Sequence, residues 1–141
     1  MNARKEVQTI NWTLFGVMTL AGLVSAGSTL TKLKNLTPEQ ETEGQSRFRV
    51  QWEQPETILA LILGCITLLL ILGWKKLFPF NVPLAMIVGG VWYAFLFQVT
   101  TVGWTGLIGF VGLLIAMVAG LLMIIIYAFG ARKWGLRRRE E

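Results

Sequence analysis

The chain has 141 residues, 54% of them hydrophobic and 15% charged, and a net charge of +5. That balance lies far on the apolar side of an ordinary globular protein and leaves no room for a separate soluble catalytic domain. His and Asp are absent and Cys65 is the single cysteine, which excludes imidazole bases, His-ligated haem or metal, His-containing triads and an intrachain disulfide.

Residues 1 to 8 are short and polar, with Arg4, Lys5 and Glu6. From Thr9 to about Leu30 the chain is uncharged and rich in Gly, Ala, Ser and Thr. A bilayer core takes about 20 apolar residues per helical pass, so this segment reads as a first span. The rival reading is a cleaved signal peptide, because basic residues precede an apolar centre and Val24, Ser25, Ala26 resembles a small-residue cleavage site. Gly22 and Ala26, beside Ala21 and Ser25, form a face of small side chains.

Residues 31 to 56 are the one sizeable polar stretch between spans. Within it Arg47 to Glu53 alternates, with Phe48, Val50 and Trp52 on one side and Arg47, Arg49 and Gln51 on the other. A period of two predicts a short extended segment with one apolar face. That face suits a loop packing over its own helices, with a membrane surface or a partner's sheet edge as alternatives. Glu39, Glu41 and Glu43 read as a solvated run.

Pro55 and Glu56 mark a helix start, since proline is tolerated in the first turn and a carboxylate meets the positive end of the helix dipole. A second span follows from about Thr57 to Trp74, dominated by Leu and Ile around its circumference and ended by Lys75 and Lys76. The next fifty-five residues, Leu77 to Ala131, contain no Asp, Glu, Lys or Arg. This run is too long for one crossing and predicts a hairpin of two spans, about 82–102 and 107–131, turning at Gly103, Trp104, Thr105 and Gly106. Asn81 and Pro83 supply a cap and a first-turn proline.

The fourth span has the clearest internal pattern. Gly109, Gly112, Ala116 and Gly120 fall on one face at helical spacing, continued by Met123 and Tyr127. Small residues three and four apart let helix backbones approach closely, and in lipid such packing replaces the hydrophobic effect as glue. Gly22 and Ala26 of the first span, and Ala85 and Gly89 of the third, are matching small faces. Trp12, Trp74, Trp104 and Trp134 fall at predicted span ends and read as interfacial anchors. Trp92, Tyr93, Gln98, Thr100 and Thr101 supply polar atoms to the third span. They suit interhelix hydrogen bonds, with a pocket for a quinone, pigment or lipid tail as the alternative.

Arg132, Lys133, Arg137, Arg138 and Arg139 form a basic tail fit for anionic lipid, at about 1 kcal/mol per charge near the surface. With four crossings, nine basic residues lie on the side of the termini and four on the other. The positive-inside rule then makes both termini cytoplasmic. Glycosylation patterns at Asn11 and Asn35 read as chance. No span carries an ionisable group of the kind a proton-coupled transporter needs at membrane depth, and neither His-Glu-x-x-His nor a cysteine pair occurs. Small multidrug exporters share the size and the four spans, but their embedded acidic residue has no counterpart in the first span here.

The expectation is therefore an all-α integral membrane protein, a four-transmembrane-helix bundle with both termini cytoplasmic, in a bacterial-type inner membrane or an internal membrane such as the thylakoid. No catalytic, cofactor or metal residue is assigned and no nucleic-acid partner is expected. The function expected is that of a non-enzymatic accessory, assembly or scaffolding subunit bound to lipid and to other membrane subunits or copies of itself. The alternative is a small oligomeric transporter, flippase or channel.

Overall fold

A computed structural model describes residues 3–36 and 46–137. The element order is α1 (Ala3–Lys34), β1 (Arg47–Phe48), α2 (Gln54–Leu72), α3 (Asn81–Thr100), β2 (Thr101–Val102) and α4 (Gly106–Arg137). All four helices are long and apolar enough to cross a membrane.

Helix α1 starts six residues before the uncharged segment and ends four residues after it. Arg4, Lys5 and Glu6 are good helix formers, and Lys32 and Lys34 in the last turn meet the negative end of the helix dipole. Helix α4 likewise continues through Arg132, Lys133 and Trp134 to Arg137, so the first part of the basic tail prolongs the fourth helix. Nothing there breaks the backbone pattern, and cations near a helix C-terminus are favoured. Arg138 and Arg139 lie outside the described residues, as do Glu39, Glu41 and Glu43.

Helix α2 begins on Glu53 as N-cap, with Pro55 in the first turn. The Glu56 carboxylate accepts the backbone N–H of Glu53 at 3.0 Å, which satisfies a donor the helix start leaves free. Asn81 is the first residue of α3 rather than its N-cap, and its Oδ1 accepts the Val82 N–H at 3.0 Å. Between α3 and α4, Gly103 adopts φ 91°, a left-handed conformation that a side chain would strain.

Helix α3 is the hub: it packs against α4 along its length, and α1 and α2 each lie against it. One apolar cluster joins α2 to the C-terminal half of α3 through Leu63, Phe95 and Val99. The other joins α3, α4 and α1 near the opposite end through Val82, Met86 and Met123, with Phe15 and Met18 against them.

The α3–α4 contact is set by the small residues of α4, met in antiparallel order by α3. A Cβ on Gly120 would lie 2.7 Å from Ile87 Cγ1 and 2.9 Å from the Pro83 carbonyl oxygen. On Gly109 it would lie 2.8 Å from Phe97 Cβ and 3.0 Å from Ala94 Cα, and on Gly112 it would run into the Tyr93 ring. Ala116 is buried opposite Gly90, where an added Cβ would sit 2.5 Å from that of Ala116. The expected small face on α3 is Ala85 with Gly89, but Gly89 is exposed with nothing within 4 Å of a Cβ built there. One residue is about a 100° rotation on a helix, and that rotation puts Gly90 in the interface.

Adjacent glycines therefore make a controlled comparison. Gly90→Ala should destabilise by about 1–3 kcal/mol through overpacking, whereas Gly89→Ala should change stability by no more than about 1 kcal/mol, in the stabilising direction set by helix propensity. Unfolding midpoints of the two variants in detergent check this, and equal effects would refute the assigned α3 rotation.

Candidate functional site

The polar side chains inside the helices are few, and six of them meet in three pairs between helices. Thr67 of α2 donates its hydroxyl to the Leu63 carbonyl one turn back, at 2.7 Å. Its Oγ1 thereby becomes a fixed acceptor for Trp92 Nε1–H of α3, at 3.0 Å. Ser25 of α1 and Tyr93 of α3 share a hydroxyl–hydroxyl bond of 2.9 Å. Gly22, one turn before Ser25, leaves room for the same ring, whose Cδ2 lies 3.8 Å from the position of an added Cβ. Ala26 beside it is buried.

The third pair lies at the end of the molecule that carries Lys75 and Lys76. Asn11 of α1 is 1% exposed, and its Oδ1 accepts the hydroxyl of Tyr127 of α4. Its Nδ2 donates to the Pro79 carbonyl in the α2–α3 connection at 3.5 Å. One amide thus ties three parts of the chain together. Burial of Asn11 is incompatible with the glycosylation pattern it begins. Among the described residues, every buried side-chain nitrogen and oxygen has a hydrogen-bond partner.

Nothing in the local sequence singles out Asn11. Its partner Tyr127 is 116 residues away, and an amide next to an apolar segment reads as a boundary residue. The one available signal was that Asn11 and Tyr127 lie at matching depths of two antiparallel segments.

The predicted anchors separate by position. Trp12 and Trp74 come together, ring centroids 5.8 Å apart, with Trp12 about half exposed and Trp74 against the apolar cluster of Val82 and Met86. Trp104 projects from the α3–α4 turn with 77% of its surface exposed. The backbone of Trp134 continues α4, and its side chain is outside the described residues, like those of Arg132, Lys133 and Arg137. Among the described residues no group of three His, Cys, Asp or Glu side chains is placed to hold a metal ion.

The extended segment predicted at 47–53 covers the end of the helical hairpin. Arg47 and Phe48 pair antiparallel with Val102 and Thr101, and the N–H groups of Arg49 and Gln51 donate to the Thr100 and Val99 carbonyls at 3.1 and 2.7 Å. Those carbonyls belong to the last turn of α3, where a helix leaves its carbonyl acceptors without N–H donors of its own. Ser46 Oγ accepts the Thr105 N–H at 2.7 Å, and Trp52 meets Phe95 edge-on with centroids 6.1 Å apart. The segment is thus a cap on α3, built from the chain itself.

Compared with protein families, curated proteins and solved structures, the chain shows no match.

The Asn11–Tyr127 pair should behave as a structural clasp. In a double-mutant cycle of Asn11→Ala and Tyr127→Phe, unfolding in detergent should give a coupling of about 0.6 kcal/mol, with about 1.7 as an upper bound for such pairs in membrane proteins. A coupling of zero would show that the two side chains act independently.

Proposed function

We propose that the chain is an integral membrane protein with four crossings and both termini on the cytoplasmic side, acting as a non-enzymatic accessory or assembly subunit in a complex. One observation carries this reading: the polar side chains buried between the helices are hydrogen-bonded within the chain, while the surfaces turned outward on α1, α2 and α4 are largely apolar. Leu61, Leu68, Leu69 and Leu72 of α2 are each at least 60% exposed, as are Leu20, Leu23 and Val24 of α1. Patches of this extent are unstable against water, and hydrocarbon or another apolar helix accommodates them.

The same observation supports scaffolding over transport. A solute pathway requires polar atoms free to replace its hydration, whereas Thr67, Trp92, Ser25, Tyr93, Asn11 and Tyr127 are engaged in pairs. Retention of α1 is supported by Ser25 and Ala26, residues of the segment that resembles a cleavage site, since Ser25 bonds to Tyr93 of α3 and Ala26 is buried. The sidedness rests on charge: Arg4 and Lys5, Lys75 and Lys76, and the basic end of α4 fall at one end of the molecule, where the positive-inside rule places the cytoplasm. Trp12 and Trp74 at that end suit its headgroup layer, and the arginines of the α4 end suit anionic lipid.

Extraction in a mild detergent, followed by sizing and identification of what co-migrates, tests the role. The expected outcome is a defined larger complex with other membrane subunits. A self-contained oligomer that raises solute flux when placed in liposomes would overturn it in favour of a transporter or channel. For the topology, a tag after Glu141 should be reached by protease only from the cytoplasmic side, and digestion from the opposite face would refute the orientation.

A further inference from the structure

The end of the molecule where α2 begins and α3 stops carries aromatic and basic side chains that stay largely exposed although their strip caps α3. We propose that residues 46–53, together with Trp104 of the adjacent turn, form a ledge that seats on the phosphate layer of an anionic phospholipid surface. The proposal rests on the membrane-spanning reading of the four helices.

Depth is set by two helix lengths. Helix α3 has 20 residues and α2 has 19; at about 1.5 Å per residue each is close to the roughly 30 Å of a hydrocarbon core. The ledge is hydrogen-bonded to the last carbonyls of α3 and leads within a few residues into the first turn of α2. Held at both places, it lies at the hydrocarbon boundary.

Its two faces differ in chemistry. Phe48, Val50 and Trp52 are 39%, 60% and 55% exposed, and the contact of Trp52 with Phe95 turns that face to the flank of α3. The opposite face carries Arg47 and Arg49, both exposed and unpaired with any carboxylate among the described residues. Aromatic rings at headgroup level beside arginines are the arrangement an interface favours. Lys32 and Lys34, exposed in the last turn of α1, lie at the same end, since α1 touches β1. Of the acidic groups described there, Glu56 is committed to the Glu53 N–H, and Glu53 is the N-cap of α2. Both carboxylates thus lie at the positive end of that helix.

The native Cys65 supplies a built-in control, being exposed and eleven positions into α2. The full chain carrying a fluorophore on Cys65 is compared with a Cys65→Ser, Val50→Cys chain labelled at position 50. Both are placed in phosphatidylcholine vesicles with and without phosphatidylglycerol, and quenching by brominated lipid and by aqueous iodide is measured. The label at position 50 should be quenched by lipid brominated near the headgroup and shielded from iodide, more so with phosphatidylglycerol present. Adding Arg47→Gln and Arg49→Gln should move its lipid-to-water balance towards water by about fivefold per arginine, with the Cys65 label unchanged.

Iodide access without lipid quenching at position 50, while Cys65 is quenched by lipid, would overturn the ledge and leave the spanning helices standing. Shielding from both quenchers would overturn it in favour of a second copy covering the segment. Indifference to phosphatidylglycerol and to both arginines would overturn the phosphate contact. Lack of lipid quenching at Cys65 would refute the spanning helices, a separate and recognisable failure.

Discussion

The rest of the structure depends on how closely α3 and α4 approach each other. Along α4, Gly109, Gly112 and Gly120 give up their side chains at the points where α3 presents bulk, and at Ala116 the roles reverse because Gly90 gives way. Such interlocking has a single good register, and the left-handed Gly103 in the intervening turn lets the chain reverse tightly enough to reach it. In the membrane-spanning arrangement proposed above, burying apolar surface between helices gains little over leaving it in acyl chains, so the fit of backbone against backbone would carry the association.

With α3 and α4 locked, the other helices are placed by polar bonds as much as by apolar contact. Thr67 fixes α2 through Trp92, and Ser25 fixes α1 through Tyr93. Asn11 closes α1 on α4 and on the α2–α3 connection. Two of them leave adjacent residues of α3 towards different helices, and the third lies at the end that carries the α2–α3 connection. They therefore restrain rotation and sliding of two helices whose own surfaces are mostly uncommitted. That division leaves a closely packed hairpin at the centre and exposed apolar flanks on α1 and α2.

The two ends of the molecule are also chemically distinct. One has the α2–α3 connection with Lys75 and Lys76, the Trp12–Trp74 pair and the prolonged ends of α1 and α4. The other is closed by a strip of the polar stretch, laid over the last carbonyls of α3. A helix end leaves carbonyl acceptors without intrahelical donors, and here the chain supplies the donors itself.

Composition and period by themselves determined the four apolar helices, the reversal at Gly103 to Gly106, the helix start at Pro55 and the one-sided row of small residues on α4, because each is a property of a short window of chain. Helix ends were less legible: charged residues beyond an apolar run mark where hydrocarbon would stop, but they are good helix formers, so α1 and α4 run on through them. Only the tertiary structure decided that Gly90 rather than Gly89 enters the interface, that Asn11 finds Tyr127, and that the Arg47 strip closes α3. Each of these depends on the rotation or height of one helix relative to another, set by the packing of side chains distant in sequence and by no local pattern.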